Sequence, residues 1–231
     1  MNDANKPGMA VAFDDGAGNI GAAQAFSDAN VTVIDGLLTL DKVPDFGFGT
    51  AAAGGPAVDL QNNSSTIKDD GNDSGILQVT DSRTDKNAAA SNTTKTAGFN
   101  VTAQLGNFKA TNGTPAEGFD GSGFILNMNP VQLTSSTNAN DVIQGANSET
   151  ASLVSGDTKD TPVMALDAGS YSKGAIIAQF GAKTGEPNSD VQLKVPSTAA
   201  GKDSPSSISY NSIITWTLTP TAMNTTAPSE G

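Results

Sequence analysis

Phe99-Asn100-Val101-Thr102-Ala103-Gln104-Leu105 is the stretch that decides the fold class of this chain. Its odd-numbered residues are apolar and its even-numbered residues are polar, so the two kinds of side chain point to opposite faces of an extended strand. The same alternation returns in the stretches 191–195 and 214–218. Alternation with a period of two is typical of β-strands that bury one face.

Shorter apolar stretches, separated by turn signals, extend this pattern along the chain. Asp15-Gly16, Asp70-Gly71, Asn112-Gly113 and Asp120-Gly121 are such signals, because Asp or Asn followed by Gly suits tight turns. The shorter strand candidates are 9–13, 31–34, 37–40, 76–80, 124–128, 163–166 and 175–180. Many short strands with this punctuation predict an all-β fold, either an antiparallel β-sandwich or a barrel-like domain with long polar loops.

At most one or two short helices are expected beside these strands. The Ala-rich stretch 19–27 is weakly amphipathic and predicts one helix, and a further short turn is expected at 140–144. Long polar loops are expected at 85–96 and 135–161. We divide the chain into an N-terminal segment (1–35) packed on the same domain, a main β domain (36–222) and a flexible C-terminal tail (223–231).

Charge and composition exclude several classes of function. The formal net charge is −12, so nucleic acid phosphates and anionic lipids repel the chain. The chain has neither Cys nor His, which excludes the usual zinc sites, histidine general bases and Ser-His-Asp triads. No apolar stretch approaches the ~20 residues that a membrane-spanning helix needs. We therefore expect no nucleic acid partner and no membrane insertion.

Several segments occur in an order that identifies a family. The first is Leu38-Thr39-Leu40-Asp41-Lys42-Val43-Pro44-Asp45-Phe46-Gly47-Phe48-Gly49, where a Val-Pro pair leads into Phe-x-Phe-Gly. Segments 77–83, 98–105 and 193–196 follow, and the last is Ile213-Ile214-Thr215-Trp216-Thr217-Leu218. Together they resemble the WxL domain of cell-surface proteins of Gram-positive bacteria, over about residues 36–222. Segment 98–105 stands where that family has its first WxL motif, and the last segment looks like the distal motif.

This resemblance implies a non-enzymatic, extracellular protein that associates non-covalently with the cell wall through peptidoglycan. It also implies assembly with a partner surface protein, which gives an alternative: a protein-interaction module whose partner contacts the wall. The chain has no Leu-Pro-x-Thr-Gly sorting signal, in agreement with non-covalent attachment. Its start, Met1 to Lys6, is polar, and we expect that Met1 replaces a removed export signal.

The resemblance makes Trp216, Leu218, Phe99 and Val101 the candidate binding residues. Phe99 and Val101 depart from the family pattern, since they replace the Trp and Leu of the first motif, and Phe lacks the indole N–H donor. Two interpretations stay open for all four residues. They form a contact surface for wall glycan or a partner, or they pack inward as alternating residues of a core strand, and alternation by itself favours packing.

Arg83 is the single arginine of the chain. Its planar guanidinium has five donors and can join several loops at once. The structural interpretation gives it a salt bridge or carbonyl hydrogen bonds, with Asp81 or Asp45 as partner, and the alternative is a role in ligand binding.

A short acidic stretch resembles a calcium-binding loop. Asp70, Asn72 and Ser74 are oxygen-bearing side chains at alternating positions, and Asp81 is the twelfth residue counted from Asp70. The flanking sequence reads as strand and loop instead of the two helices of an EF-hand, so an acidic turn is the favoured interpretation. We expect no cofactor, with calcium as the alternative.

Catalysis is the least favoured function class. Acidic pairs such as Asp14-Asp15 and Asp69-Asp70 lie on Gly-flanked turns, where carboxylates are usually solvated, whereas a glycosidase needs two carboxyl groups across a cleft. A glycan hydrolase remains a minor alternative to wall binding.

Overall fold

A computed structural model describes residues 13–14, 20–21, 36–63, 75–83, 96–181, 188–202 and 207–221. The chain divides into two compact units, Met1–Ile34 and Asp35–Gly231. In the first unit, Phe13–Asp14 (β1) pairs antiparallel with Ile20–Gly21 (β2). All further elements belong to the second unit.

The second unit is built from short strands with a single 3₁₀ turn at Ser197–Ala199 among the described residues. Its strands are β3 Leu38–Lys42, β4 Val58–Leu60, β5 Ile76–Asp81, β6 Phe99–Leu105, β7 Lys109–Asn112, β8 Ile125–Met128, β9 Gln132–Thr134, β10 Val142–Asn147, β11 Ala151–Val154, β12 Thr161–Leu166, β13 Gly174–Gln179, β14 Asn188–Lys194, β15 Ser209–Asn211 and β16 Ile214–Pro220.

These strands form four antiparallel sheets. The order is β10-β9-β13-β5-β3 in the five-stranded sheet, β11-β8-β14-β4 in the four-stranded sheet and β12-β6-β16 in the three-stranded sheet, while β15 and β7 form a separate pair. The all-β prediction is confirmed, and the packed sheets fit a β-sandwich.

The core lies between the sheets and is assembled by alternation. On β6, Phe99, Val101, Ala103 and Leu105 are at most 3% exposed, while the residues between them are half-exposed. Val191 and Leu193 on β14 are buried in the same way. Each such strand contributes one apolar row to the shared core and keeps its polar row on the outside.

The predicted helix at 19–27 is wrong where the structure describes it. Ile20 and Gly21 lie in β2, which fits their chemistry, because a β-branched residue and a glycine are both poor helix formers. The remaining residues of that stretch, the strand candidate 31–34 and most of the predicted loop 85–96 lie outside the described residues. Thr96, at the end of that loop, is buried.

The predicted long loop at 135–161 is also wrong, because it contains β10 and β11 and ends where β12 begins. Both strands are at the edges of their sheets, so one row of each faces solvent and can be polar. Ala151 and Leu153 are the two buried residues of β11. The predicted turn lies slightly earlier than expected, with the Asp141 amide donating to the Asn138 carbonyl at 3.0 Å before β10 starts.

Candidate functional site

The two motif segments lie side by side in the three-stranded sheet. β16 pairs antiparallel with β6 and sets Leu218 opposite Val101 and Trp216 opposite Ala103. Phe99 is on the same face of β6, two positions before Val101. Residues directly opposite each other in antiparallel strands share a face, so the apolar side chains of both motifs lie on one side of the sheet.

That side faces the core. Phe99 is 1% exposed and Val101 is 0% exposed, and the Phe99 ring meets the Tyr171 ring edge-on, with centroids 5.6 Å apart. Trp216 and Leu218 are half-buried and pack against the same core, because β16 is the last strand of its sheet. The geometry agrees with the packing interpretation, and ligand contact by these four residues stays a prediction.

The opposite side of the sheet is polar. The exposed residues of β16 and the half-exposed residues of β6 point outward there, and we call this set the polar grid: Thr215, Thr217, Thr219, Asn100, Thr102 and Gln104. Within it, Thr217 lies opposite Thr102, and Thr219 lies opposite Asn100. Asn100 and Thr217 are the middle residues of the two motifs. Sequence reasoning named the apolar members as candidate binding residues, and the same alternation assigns these polar residues to the outer face.

Two side chains of β6 show how the grid is held. The Gln104 amide nitrogen donates to the Asp160 carboxylate at 2.6 Å and to the Thr158 carbonyl at 3.0 Å, which fixes Gln104 towards the start of β12. The Oδ1 atom of Asn100 is shielded and has no hydrogen bond to any described residue.

Arg83 and Asp81 form an ion pair at the end of β5. The guanidinium Nε donates to Asp81 Oδ1 at 3.0 Å, and Nη2 donates to Oδ2 at 2.8 Å, which is a bidentate arrangement. The Tyr171 hydroxyl donates to the same Oδ2 at 2.6 Å. The Asp81 side chain is 0% exposed and the Arg83 side chain 13% exposed. The predicted partnership of Arg83 with Asp81 is thus observed.

The protonation equilibria reflect this burial. Burial opposes the ionisation of Asp81, but the hydrogen bonds from Arg83 and Tyr171 outweigh it, so the pKa of Asp81 is lowered from its ordinary 3.8. Burial, followed by the hydrogen bond to Asp81, raises the pKa of Tyr171 above its ordinary 10.0. The hydrogen bond to Asp81 raises the pKa of Arg83 as well. At neutral pH the three groups are a carboxylate, a phenol and a guanidinium.

This triad of Asp81, Arg83 and Tyr171 also fixes both motif strands. Arg83 Nη2 donates to the Gly98 carbonyl at 2.6 Å, immediately before β6. The amide of Thr221, immediately after β16, donates to the same carbonyl at 3.1 Å. Because β5 belongs to the five-stranded sheet and β6 to the three-stranded sheet, Arg83 connects two sheets of the sandwich. Its geometry supports the structural interpretation of this residue.

Of the four residues of the predicted calcium loop, the structure describes Asp81. Asp70, Asn72 and Ser74 lie outside the described residues. Both carboxylate oxygens of Asp81 accept hydrogen bonds from Arg83, so a cation there would have to displace the guanidinium. The described part of the chain contains no group of three Asp, Glu, His or Cys residues placed to hold a metal ion. Calcium binding stays a prediction.

Comparison with known families shows which family the chain belongs to. The model of the WxL family, described as a surface cell wall-binding domain, matches residues 25–221. The chain belongs to the WxL family. It is accordingly a domain of a surface, cell wall-binding family, and that family is not one of enzymes.

The other comparisons add no relatives. No curated protein and no solved structure matches the chain. In the described part of this WxL domain, no helix has the length and apolarity to cross a membrane.

Proposed function

We propose that this WxL domain holds its protein at the outside of the cell by binding peptidoglycan non-covalently. The match to a surface cell wall-binding family over residues 25–221 carries this proposal.

Electrostatics constrain how such binding works. With a formal net charge of −12, the domain is repelled by anionic wall polymers at long range. Unless divalent cations bridge the two surfaces, attraction must come from short-range contacts with neutral groups, such as hydrogen bonds and apolar contacts. Binding of this kind depends little on salt, because screening weakens only the repulsion between charges.

Co-sedimentation with purified, protein-free peptidoglycan tests the proposal. We expect the domain to pellet with the peptidoglycan and to remain bound when salt is raised from about 0.1 M to 1 M, where charge–charge forces are screened within ~3 Å. An unrelated acidic protein of similar net charge serves as the control and should stay in solution. Failure of the domain to pellet with protein-free peptidoglycan would remove direct glycan binding.

A second candidate is a protein-interaction module. Its support is that the tryptophan and tyrosine rings in the described part of the chain offer little exposed face on which a sugar could stack. Tyr171 is 3% exposed, Tyr210 donates its hydroxyl to the Ala199 carbonyl and packs against Phe124, and Trp216 is half-buried.

An open sheet edge gives this second candidate a means of contact. β10 is the last strand of the five-stranded sheet, and among the described residues it pairs with no further strand on its outer side. An extended segment of a partner protein can add to such an edge. Walls that retain their surface proteins distinguish the two candidates, because a domain that pellets only with those walls is held by a protein.

A further inference from the structure

We propose that the polar grid on the outer face of the β12–β6–β16 sheet is the contact surface for an uncharged polysaccharide strand. This inference rests on the proposed wall-binding function and assigns it to residues other than the apolar motif residues. Thr217 and Asn100, the middle residues of the two motifs, lie within this grid.

The first support is the solvent exposure of the motif side chains, which determines which of them a ligand can reach. Phe99 and Val101 are at most 1% exposed, so a polymer on the surface cannot touch them while the sheet is intact. Thr215, Thr217 and Thr219 are exposed along β16, and the outward residues of β6 are half-exposed. A motif that binds through these strands therefore does so through its outward row.

The second support is the regular arrangement of hydrogen-bonding groups. Neighbouring strands are ~4.8 Å apart, and side chains on one face recur every ~6.8 Å along a strand. Three threonine hydroxyls on β16 and three polar side chains on β6 hence form two parallel rows. Such rows suit an extended polymer with repeated hydroxyl and amide groups better than they suit a small compact ligand.

The third support is the charge of the surface. The grid contains no charged residue, although the chain as a whole carries a net charge of −12. Asp160 lies at one corner, and its carboxylate accepts a hydrogen bond from Gln104. Pro162 and Ala165, the outward residues of β12, are exposed and neutral. A surface free of charge on an acidic domain matches a neutral polymer and offers nothing to an anionic one.

One detail at an end of the grid favours a sugar. Ile213, which is 70% exposed, precedes β16 by one residue, so alternation places it in line with Thr215. Its carbonyl accepts from the Gly106 amide at 2.9 Å, which keeps the segment paired with β6. An exposed aliphatic side chain beside hydroxyl groups can cover the C–H face of a pyranose ring.

The test is a binding comparison on peptidoglycan sacculi stripped of protein and of anionic wall polymers. The main variant is Thr215→Val/Thr217→Val/Thr219→Val, which removes three hydroxyls and retains shape and strand propensity. If each lost hydrogen bond weakens binding by the usual net amount, we expect Kd to rise about tenfold or more. Thr111→Val, an exposed threonine of β7 in a different sheet, is the matched control and should bind as the unchanged domain does.

Each outcome of this comparison supports or overturns a stated part of the proposal. Loss of binding in the triple variant alone supports the proposal, provided that its fluorescence from Trp216 and its urea midpoint match the unchanged domain. Equal binding by the triple variant and the unchanged domain overturns the grid as the contact surface, while wall attachment itself stands. Binding by the unchanged domain only to sacculi that keep their anionic polymers overturns the neutral ligand. No binding of the unchanged domain to either kind of sacculus overturns the proposed function.

A second pair of variants covers the case in which the triple variant does not fold. Thr217→Arg puts a long side chain in the middle of the grid, and Thr217→Ser keeps the hydroxyl at the same exposed position. We expect the first to lower the affinity about tenfold, and the second to bind within about twofold of the unchanged domain. Normal binding by the Thr217→Arg variant would overturn the proposal.

Discussion

Removal of the Arg83 side chain provides the strongest test of how the sandwich is held together. Arg83→Ala deletes two hydrogen bonds to the buried carboxylate of Asp81 and one to the Gly98 carbonyl. The Asp81 oxygens keep the Tyr171 hydroxyl and the backbone amide of residue 83 as donors. A buried charge that loses its partner costs about 3–5 kcal/mol, and we expect the free energy of unfolding to fall by that amount.

Urea unfolding followed by Trp216 fluorescence measures this loss, because Trp216 is the single tryptophan of the chain. The expected decrease is a large part of the about 5–15 kcal/mol that stabilises a typical domain. Arg83→Lys keeps the charge and loses the fork, and its stability should lie between that of Arg83→Ala and that of the unchanged domain. Lys109→Ala, at an exposed position on β7, is the control and should change the free energy by less than about 0.5 kcal/mol.

A small effect would refute this reasoning. If Arg83→Ala lowers the free energy of unfolding by less than about 1 kcal/mol, the pair behaves as a solvated surface ion pair. Asp81 would then not be buried as the structure has it. A large loss of wall binding with unchanged stability would instead assign Arg83 to the ligand.

The remaining predictions concern acid stability, a close backbone contact and the motif tryptophan. The folded-state pKa of Asp81 is below its ordinary 3.8, so the stability that its carboxylate gives the folded domain is complete above pH 3.8 and is lost as the pH falls through the folded-state value. The difference in unfolding free energy between the unchanged domain and Asp81→Asn should shrink in the same pH range. A difference that stays constant would contradict this. Gly121 and Gly118 have φ of +83° and +79°, but only at Gly121 would a Cβ overlap the Phe108 carbonyl oxygen. Alanine at either position costs about 1 kcal/mol for the left-handed backbone, and Gly121→Ala should lose about 1–3 kcal/mol more in urea unfolding; equal losses would contradict the close contact. Trp216→Ala should lower the free energy of unfolding by about 2 kcal/mol, since the ring is half-buried, and should leave peptidoglycan affinity within about twofold, as circular dichroism and co-sedimentation can establish. A larger loss of affinity in a folded protein would make Trp216 a ligand contact.

The strands that bury one face were predictable from sequence, because alternation reports burial directly. Residues 99–105 coincide with β6, and 214–218 fall within β16. Strands with little to bury were missed. All residues of β7 are exposed, so no apolar row distinguishes β7 from a loop, and the same holds in part for β10 at its sheet edge. Hydrogen bonds to a neighbouring strand form these elements, and that pairing leaves no local pattern in the sequence.

The triad of Asp81, Arg83 and Tyr171 was predictable only in part. Asp81 and Arg83 are two residues apart at the end of β5, so their closeness in the sequence was enough to predict the pair. Tyr171 is 90 residues from Asp81, and the long-range fold brings it there. Nothing in the sequence around Tyr171 indicates a carboxylate partner, because the order of strands β13 and β5 in the sheet determines that contact.

The location of Trp216 distinguishes two properties of a short motif, which are packing against the core and contact with a ligand. Trp216 and Leu218 pack against the core opposite Ala103 and Val101, and burial requires large apolar groups at these positions whatever the domain binds. Thr217 faces solvent between them and is free of that requirement, so its hydroxyl is available for contact with a partner. The residues that identify the domain thus pack against the core, and the residue between them is exposed, where the proposed contact with the wall would be made. Exchange of Thr217 on an otherwise unchanged strand therefore tests binding without disturbing the core, whereas exchange of Trp216 tests packing first.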